Sequence, residues 1–84
     1  MSETTSSSIT VYLTAWCPDC QRARAYLDRQ KISYVSVDID QNPEAMALVK
    51  KINRGNRSVP TIVFPDGSIL VEPSEAQLAQ KLGL

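Results

Sequence analysis

Histidine is missing from this chain, cysteine occurs only twice, and tryptophan and phenylalanine once each. A zinc centre draws about four ligands from cysteine, histidine and carboxylates. With no histidine and a single cysteine pair, no metal site is expected within one chain. Charge of one sign is lacking too: nine basic residues offset nine acidic ones. No overall field then draws the chain to nucleic acid or to an anionic membrane. Long apolar runs are absent, and residues 1–8 are polar and rich in Ser and Thr. Neither membrane insertion nor export is signalled, and a cytoplasmic protein is expected.

What is present fits one small domain of 84 residues, 43% of them hydrophobic. Residues 1–8 read as a flexible tail, since they offer little apolar surface to offset the entropy of ordering them. Residues 9–84 read as a single domain. Ile9 to Thr14 alternates and is β-branched, predicting a strand with Val11 and Leu13 on the core face. From Pro18 to about Gln30 the period becomes helical, and Cys20, Ala23, Arg24 and Leu27 share a face. Tyr34 to Ile39 alternates again, with Val35, Val37 and Ile39 on one side. Asn42-Pro43-Glu44 then reads as a capped helix start, ahead of an Ala45, Leu48, Val49 and Ile52 stripe. Beyond the loop Gly55-Asn56-Arg57-Ser58, Thr61 to Phe64 is a third strand. Pro65-Asp66-Gly67 turns tightly into a fourth at Ile69-Leu70-Val71. Ser74 to Gln77 has capping-box spacing and opens a last helix with Leu78 and Leu82 inward. The predicted order is β-α-β-α-β-β-α, an α/β domain. A parallel βαβ unit and an antiparallel hairpin combine into a four-stranded mixed sheet flanked by three helices.

Chemistry concentrates in Trp16-Cys17-Pro18-Asp19-Cys20, at the junction of the first strand and the first helix. A first sulfur that attacks a disulfide must be displaced by a second within reach, and one helical turn puts position i+3 beside position i. As a structural staple the pair would close almost no loop. In a reducing compartment a C-x-x-C pair points instead to catalysis or metal binding. Cys17, ahead of the helix, would face the free N–H groups of the first turn, a setting that favours a reactive thiolate. Cys20, on the apolar face, would be the more buried and stay a thiol. These positions make Cys17 the exposed nucleophile and Cys20 the resolving residue. An unpaired Asp19 carboxylate near Cys17 would oppose ionisation.

The element order, the C-x-x-C at the end of strand one and the Val59-Pro60 step before strand three resemble the glutaredoxin branch of the thioredoxin fold. The likeness spans about residues 9 to 82. Within that branch, Trp16 to Cys20, Val37-Asp38-Ile39-Asp40, Gly55 to Thr61, Asp66-Gly67-Ser68 and Pro73-Ser74 are most similar to the mycoredoxins, relatives that use mycothiol where others use glutathione. The chain departs from familiar glutaredoxins at Asp19, where an aromatic residue often stands, and at Thr14, where many carry lysine.

The resemblance implies a thiol-disulfide oxidoreductase that reduces mixed disulfides between client proteins and a low-molecular-weight thiol, mycothiol or glutathione, as a monomer. It also implies a cis Val59-Pro60 bond, which would present the Val59 backbone beside Cys17 as an edge for a thiol cosubstrate. The implied groove runs from Trp16 past Arg57, Val59 and Pro60 to Ser74 and Glu75, where a helix N-terminus could take an anionic group. Arg57 could add a fork of donors. Two other functions share these features: a thioredoxin-like donor reduced by a flavoprotein reductase, and a carrier of a [2Fe-2S] cluster. The aromatic-Ser-Gly-Phe-Arg-Pro segment of the redoxins that serve ribonucleotide reductase is absent here, and Pro18 stiffens the turn that a cluster would have to share.

Overall fold

A computed structural model describes residues 9–84, so the expected N-terminal tail lies outside the described residues. The elements follow the predicted order: β1 (Ile9–Leu13), α1 (Pro18–Arg29), β2 (Tyr34–Asp38), α2 (Pro43–Ile52), β3 (Thr61–Val63), β4 (Ile69–Val71) and α3 (Glu75–Leu82). The four strands lie in the order β2-β1-β3-β4. β1 runs parallel to β2 and antiparallel to β3, which is antiparallel to β4. The C-terminal ends of β1, β2 and β4 and the start of β3 therefore share one edge of the sheet. Loops leaving that edge are brought together whatever their separation in sequence.

Local chemistry sets the helix boundaries. Pro18 stands in the first turn of α1, where its missing N–H costs nothing. Asn42 caps α2, its side chain accepting the Ala45 N–H at 3.0 Å. α3 carries the full capping box: the Ser74 hydroxyl accepts the Gln77 N–H at 3.1 Å, and the Gln77 side chain accepts the Ser74 N–H at 2.9 Å. It ends on Gly83 at φ 75°, the left-handed conformation that glycine adopts without Cβ strain. Among the described residues, no helix is long and apolar enough to cross a membrane.

The two faces of the sheet are covered unequally. On one, Ile9, Val11 and Leu13 of β1 and Ile62 and Phe64 pack against Cys20, Ala23, Tyr26 and Leu27 of α1 and Leu78 of α3. On the other, α2 covers a smaller cluster of Ile39, Ala45 and Val49, joined by Tyr12, Val37 and Met46. This asymmetry corrects three expectations. Arg24 is exposed and Tyr26 takes the core position, because the buried stripe of α1 leans toward the side closed by α3. Val35 and Leu48, expected on apolar stripes, are exposed and lie outside the smaller cluster. The strands also end one residue early at Leu13, Asp38 and Val63.

Candidate active site

The sheet edge that gathers the loop ends holds both cysteines. Cys17 is the N-cap of α1, and its sulfur accepts the Cys20 N–H at 3.2 Å. A strand running into a helix with proline at its first position leaves the capping residue extended (φ −87°, ψ 115°). The cap's own side chain is thus turned to the first-turn amides, which satisfy in the sulfur one of their missing acceptors. The positive end of the helix dipole acts on the same atom.

Both cysteines are unlinked and buried, Cys17 at 6% and Cys20 at 1% exposure. The order of burial is the expected one, but Cys17 is not the exposed sulfur that its position suggested. Its backbone N–H bonds back to the Thr14 carbonyl at 3.4 Å, and its thiol lies 3.9 Å from the Val59 carbonyl, as a donor to it. Together the turn and the β3 approach shield the sulfur. The Val59-Pro60 bond is cis, as the resemblance implied.

Cys20 holds its proton firmly. Burial pushes its thiol up from 9.0 to about 12, and its hydrogen bond to the Cys17 sulfur adds to the rise, against lowering contributions from the Thr14 backbone and Arg24. The Cys17 sulfur thus sits at the helix start and accepts the Cys20 N–H, while the deeper Cys20 keeps its proton. That division suits a nucleophile and a resolving thiol.

Asp19 is not unpaired. Its carboxylate makes an ion pair with Arg22 one turn along α1, so the lone negative charge expected beside Cys17 is shared with a guanidinium. Thr14, in the slot where lysine was noted as missing, is buried at 4% exposure with its hydroxyl unpartnered.

The residues expected to line a groove fall on two flanks of the cysteine pair. On the β2 side stand Trp16, 64% exposed, and Arg57. On the β4 side a cleft of about 470 Å³ is lined by Asp19, Arg22, Glu72, Pro73, Ser74, Glu75 and Gln77, with Ala23 and Leu78 at its floor. Ser74 and Glu75 thus line a cavity, Val59 stands against Cys17 with Pro60 following it in the chain, and Trp16 and Arg57 lie outside the cleft. Glu75 pairs with Arg29 of α1 at 3.3 Å.

Two contributors went unread in the sequence. Glu72 adopts a positive φ of 51° at the lip of the cleft, its N–H held by the Pro60 carbonyl at 2.8 Å. Non-glycine residues pay about 1–2 kcal/mol for that conformation, and nothing in the local pattern announces it. Asp40, in the loop after β2, accepts the Trp16 indole N–H at 3.2 Å and stands 3.9 Å from Arg57. Only the sheet order brings those three together.

Comparison with known proteins agrees with this geometry. The glutaredoxin family model matches residues 9–69. A Mycobacterium tuberculosis protein carrying the glutaredoxin name is 42% identical over 77 residues, 92% of each chain. Mycoredoxin 1 of Corynebacterium glutamicum is 41% identical over 76 residues, 90% of this chain and 94% of its own. Among solved structures, the thioredoxin-like protein BC3987 superposes with a TM-score of 0.76 at 25% identity, over 87% of this chain and 97% of the other. The glutaredoxin of Archaeoglobus fulgidus superposes at 0.77 and 22% identity, over 90% of this chain and 86% of the other.

Proposed function

Since the chain belongs to the glutaredoxin family of thiol-disulfide oxidoreductases, which work with a thiol cosubstrate, we propose that it reduces mixed disulfides between client proteins and mycothiol or glutathione through Cys17 and Cys20. The observation that carries this reading is the Cys17 sulfur at the start of α1, accepting the Cys20 N–H at 3.2 Å beside a Cys20 thiol that retains its proton. Likeness to a protein named mycoredoxin favours mycothiol of the two cosubstrates.

In the first step the Cys17 thiolate attacks the cosubstrate sulfur of the mixed disulfide. The new bond joins Cys17 to the cosubstrate, the old S–S bond breaks, and the client sulfur leaves with the electron pair and takes a proton from water. The Cys20 N–H and the positive end of the helix face the Cys17 sulfur and stabilise the charge that develops on it as it leaves in the second step. There a second small thiol attacks the cosubstrate sulfur, freeing Cys17 and forming the cosubstrate disulfide. Alternatively Cys20 gives up its proton and attacks Cys17, releasing the cosubstrate thiol and closing a Cys17–Cys20 disulfide that two further thiol equivalents reduce.

The rest of the cosubstrate lies along the Val59 backbone, between Trp16 and Arg57 on one flank and Ser74 and Glu75 on the other. The protein works as a monomer in a reducing cytoplasm. The test offers the reduced protein peptide mixed disulfides carrying either thiol and follows peptide release by mass spectrometry. Turnover with a preference for the mycothiol adduct is expected. No release from either adduct, with oxidised protein reduced instead by a thioredoxin-type flavoprotein reductase, would replace this reading with that of an electron donor.

A further inference from the structure

Trp16 and Arg57 are 41 residues apart in sequence, yet both side chains reach the carboxylate of Asp40. Oδ2 accepts the Trp16 indole N–H at 3.2 Å, and Oδ1 lies 3.9 Å from the Arg57 guanidinium. Asp40 is itself fixed by its backbone, whose N–H donates to the Asp38 side chain at 2.9 Å in an Asx turn closing β2. One carboxylate on a rigid turn thus does two things at the rim. It orients the indole next to the nucleophile, and it offsets the charge of Arg57.

We propose that Asp40 is a positioning and specificity-determining residue, a clamp that sets the angle of Trp16 and keeps Arg57 from attracting anionic cosubstrates. This role rests on the proposed function, in which Trp16 and Arg57 wall the groove. An indole tethered at its N–H samples fewer orientations beside Cys17 than a free one, and a large, largely apolar ring held in this way suits the apolar faces of a sugar-bearing thiol. A carboxylate of a peptide thiol approaching Arg57 must compete with Asp40, whereas a neutral thiol faces no such competition. The pair is exposed, so the discrimination is modest and falls with added salt.

The test compares Asp40→Asn and Asp40→Ala with the natural protein on two peptide mixed disulfides, one carrying glutathione, with its net negative charge, and one carrying neutral 1-thioglucose. Both variants unmask Arg57, so the ratio of kcat/KM for glutathione over thioglucose rises by a factor of about 2 to 5 at low salt, through KM. In an Arg57→Gln background Asp40→Asn leaves that ratio unchanged. Asn retains an acceptor for the indole N–H and Ala does not. Because Trp16 is the sole tryptophan, its fluorescence anisotropy reports the clamp directly, falling in Asp40→Ala and holding in Asp40→Asn. Unchanged anisotropy in Asp40→Ala would overturn the positioning role, and an unchanged ratio in both variants would overturn the specificity role. Absent turnover in the natural protein would instead refute the oxidoreductase reading, leaving the anisotropy to decide the clamp.

Discussion

Trp16 and Cys17 are neighbours in the chain, yet one is 64% exposed and the other 6%. That step separates two regions built from different materials. At the centre, a strand end, a helix cap and the Val59 carbonyl enclose the sulfur pair, so the geometry is made by backbone and by burial. At the rim, Asp40, Arg57, Asp19, Arg22, Arg29 and Glu75 meet in exposed ion pairs. Enclosed hydrogen bonds resist screening, while exposed pairs contribute about 0–1 kcal/mol each. On the proposed function, a centre of this kind fixes what reaction occurs, and a rim of this kind would adjust which molecule undergoes it.

The largest effect should come from the centre. Cys17→Ser is expected to reduce mixed-disulfide turnover to the uncatalysed background, because an alcohol at the helix start supplies no thiolate. Cys20→Ser should keep the route that uses a second small thiol and lose the one that closes an intramolecular disulfide. Both rates can be read from peptide release, and residual catalysis in Cys17→Ser would place the nucleophile elsewhere.

Burial of Cys20 gives the next effect, which bears on stability. The folded protein holds this proton up to about 12, against 9.0 for the ordinary thiol. Between those values the folded state binds more protons than the unfolded one, so unfolding is favoured as pH rises. The stabilisation is complete below pH 9 and is lost progressively toward about pH 12. Urea midpoints of the reduced protein should therefore fall more steeply above pH 9 than those of Cys20→Ser, in which this proton is absent. Equal slopes would mean that Cys20 is far better solvated than its 1% exposure indicates.

The same division explains how much could be read from the sequence. Strand alternation, Pro18 and Pro43 at helix starts, and the Ser74 to Gln77 box are local signals, and each element appeared in its predicted order. Cys17 and Cys20 were legible for the same reason, since a spacing of one helical turn places them together before any tertiary contact is known. Asp40 was not. Its partners lie 24 and 17 residues away, and only the pairing of β1 with β2 on one side and β3 on the other assembles them. Burial is not legible in the sequence where it depends on coverage by a neighbouring element, as at Arg24, Val35 and Cys17. The pairing of Asp19 with Arg22 is local at i,i+3, so charge spacing along α1 carries it in the sequence.

At the far flank the contrast becomes fine, because Ser74 belongs both to a helix cap and to the cleft. Its hydroxyl is committed to the Gln77 N–H, and its own N–H to the Gln77 side chain. The first-turn N–H groups of Glu75 and Ala76 remain outside the intrahelical ladder. If the cosubstrate is held there, backbone amides rather than the hydroxyl are the contact, and the cap's task is to keep them in place. Ser74→Ala should then lower stability by about 1 kcal/mol in a denaturant titration while changing KM for the mixed disulfide by less than about twofold, the span of a weak exposed contact. A rise in KM of about tenfold or more, near 1.4 kcal/mol, would make the hydroxyl a ligand and extend the side-chain-built rim to both flanks of the sulfur pair.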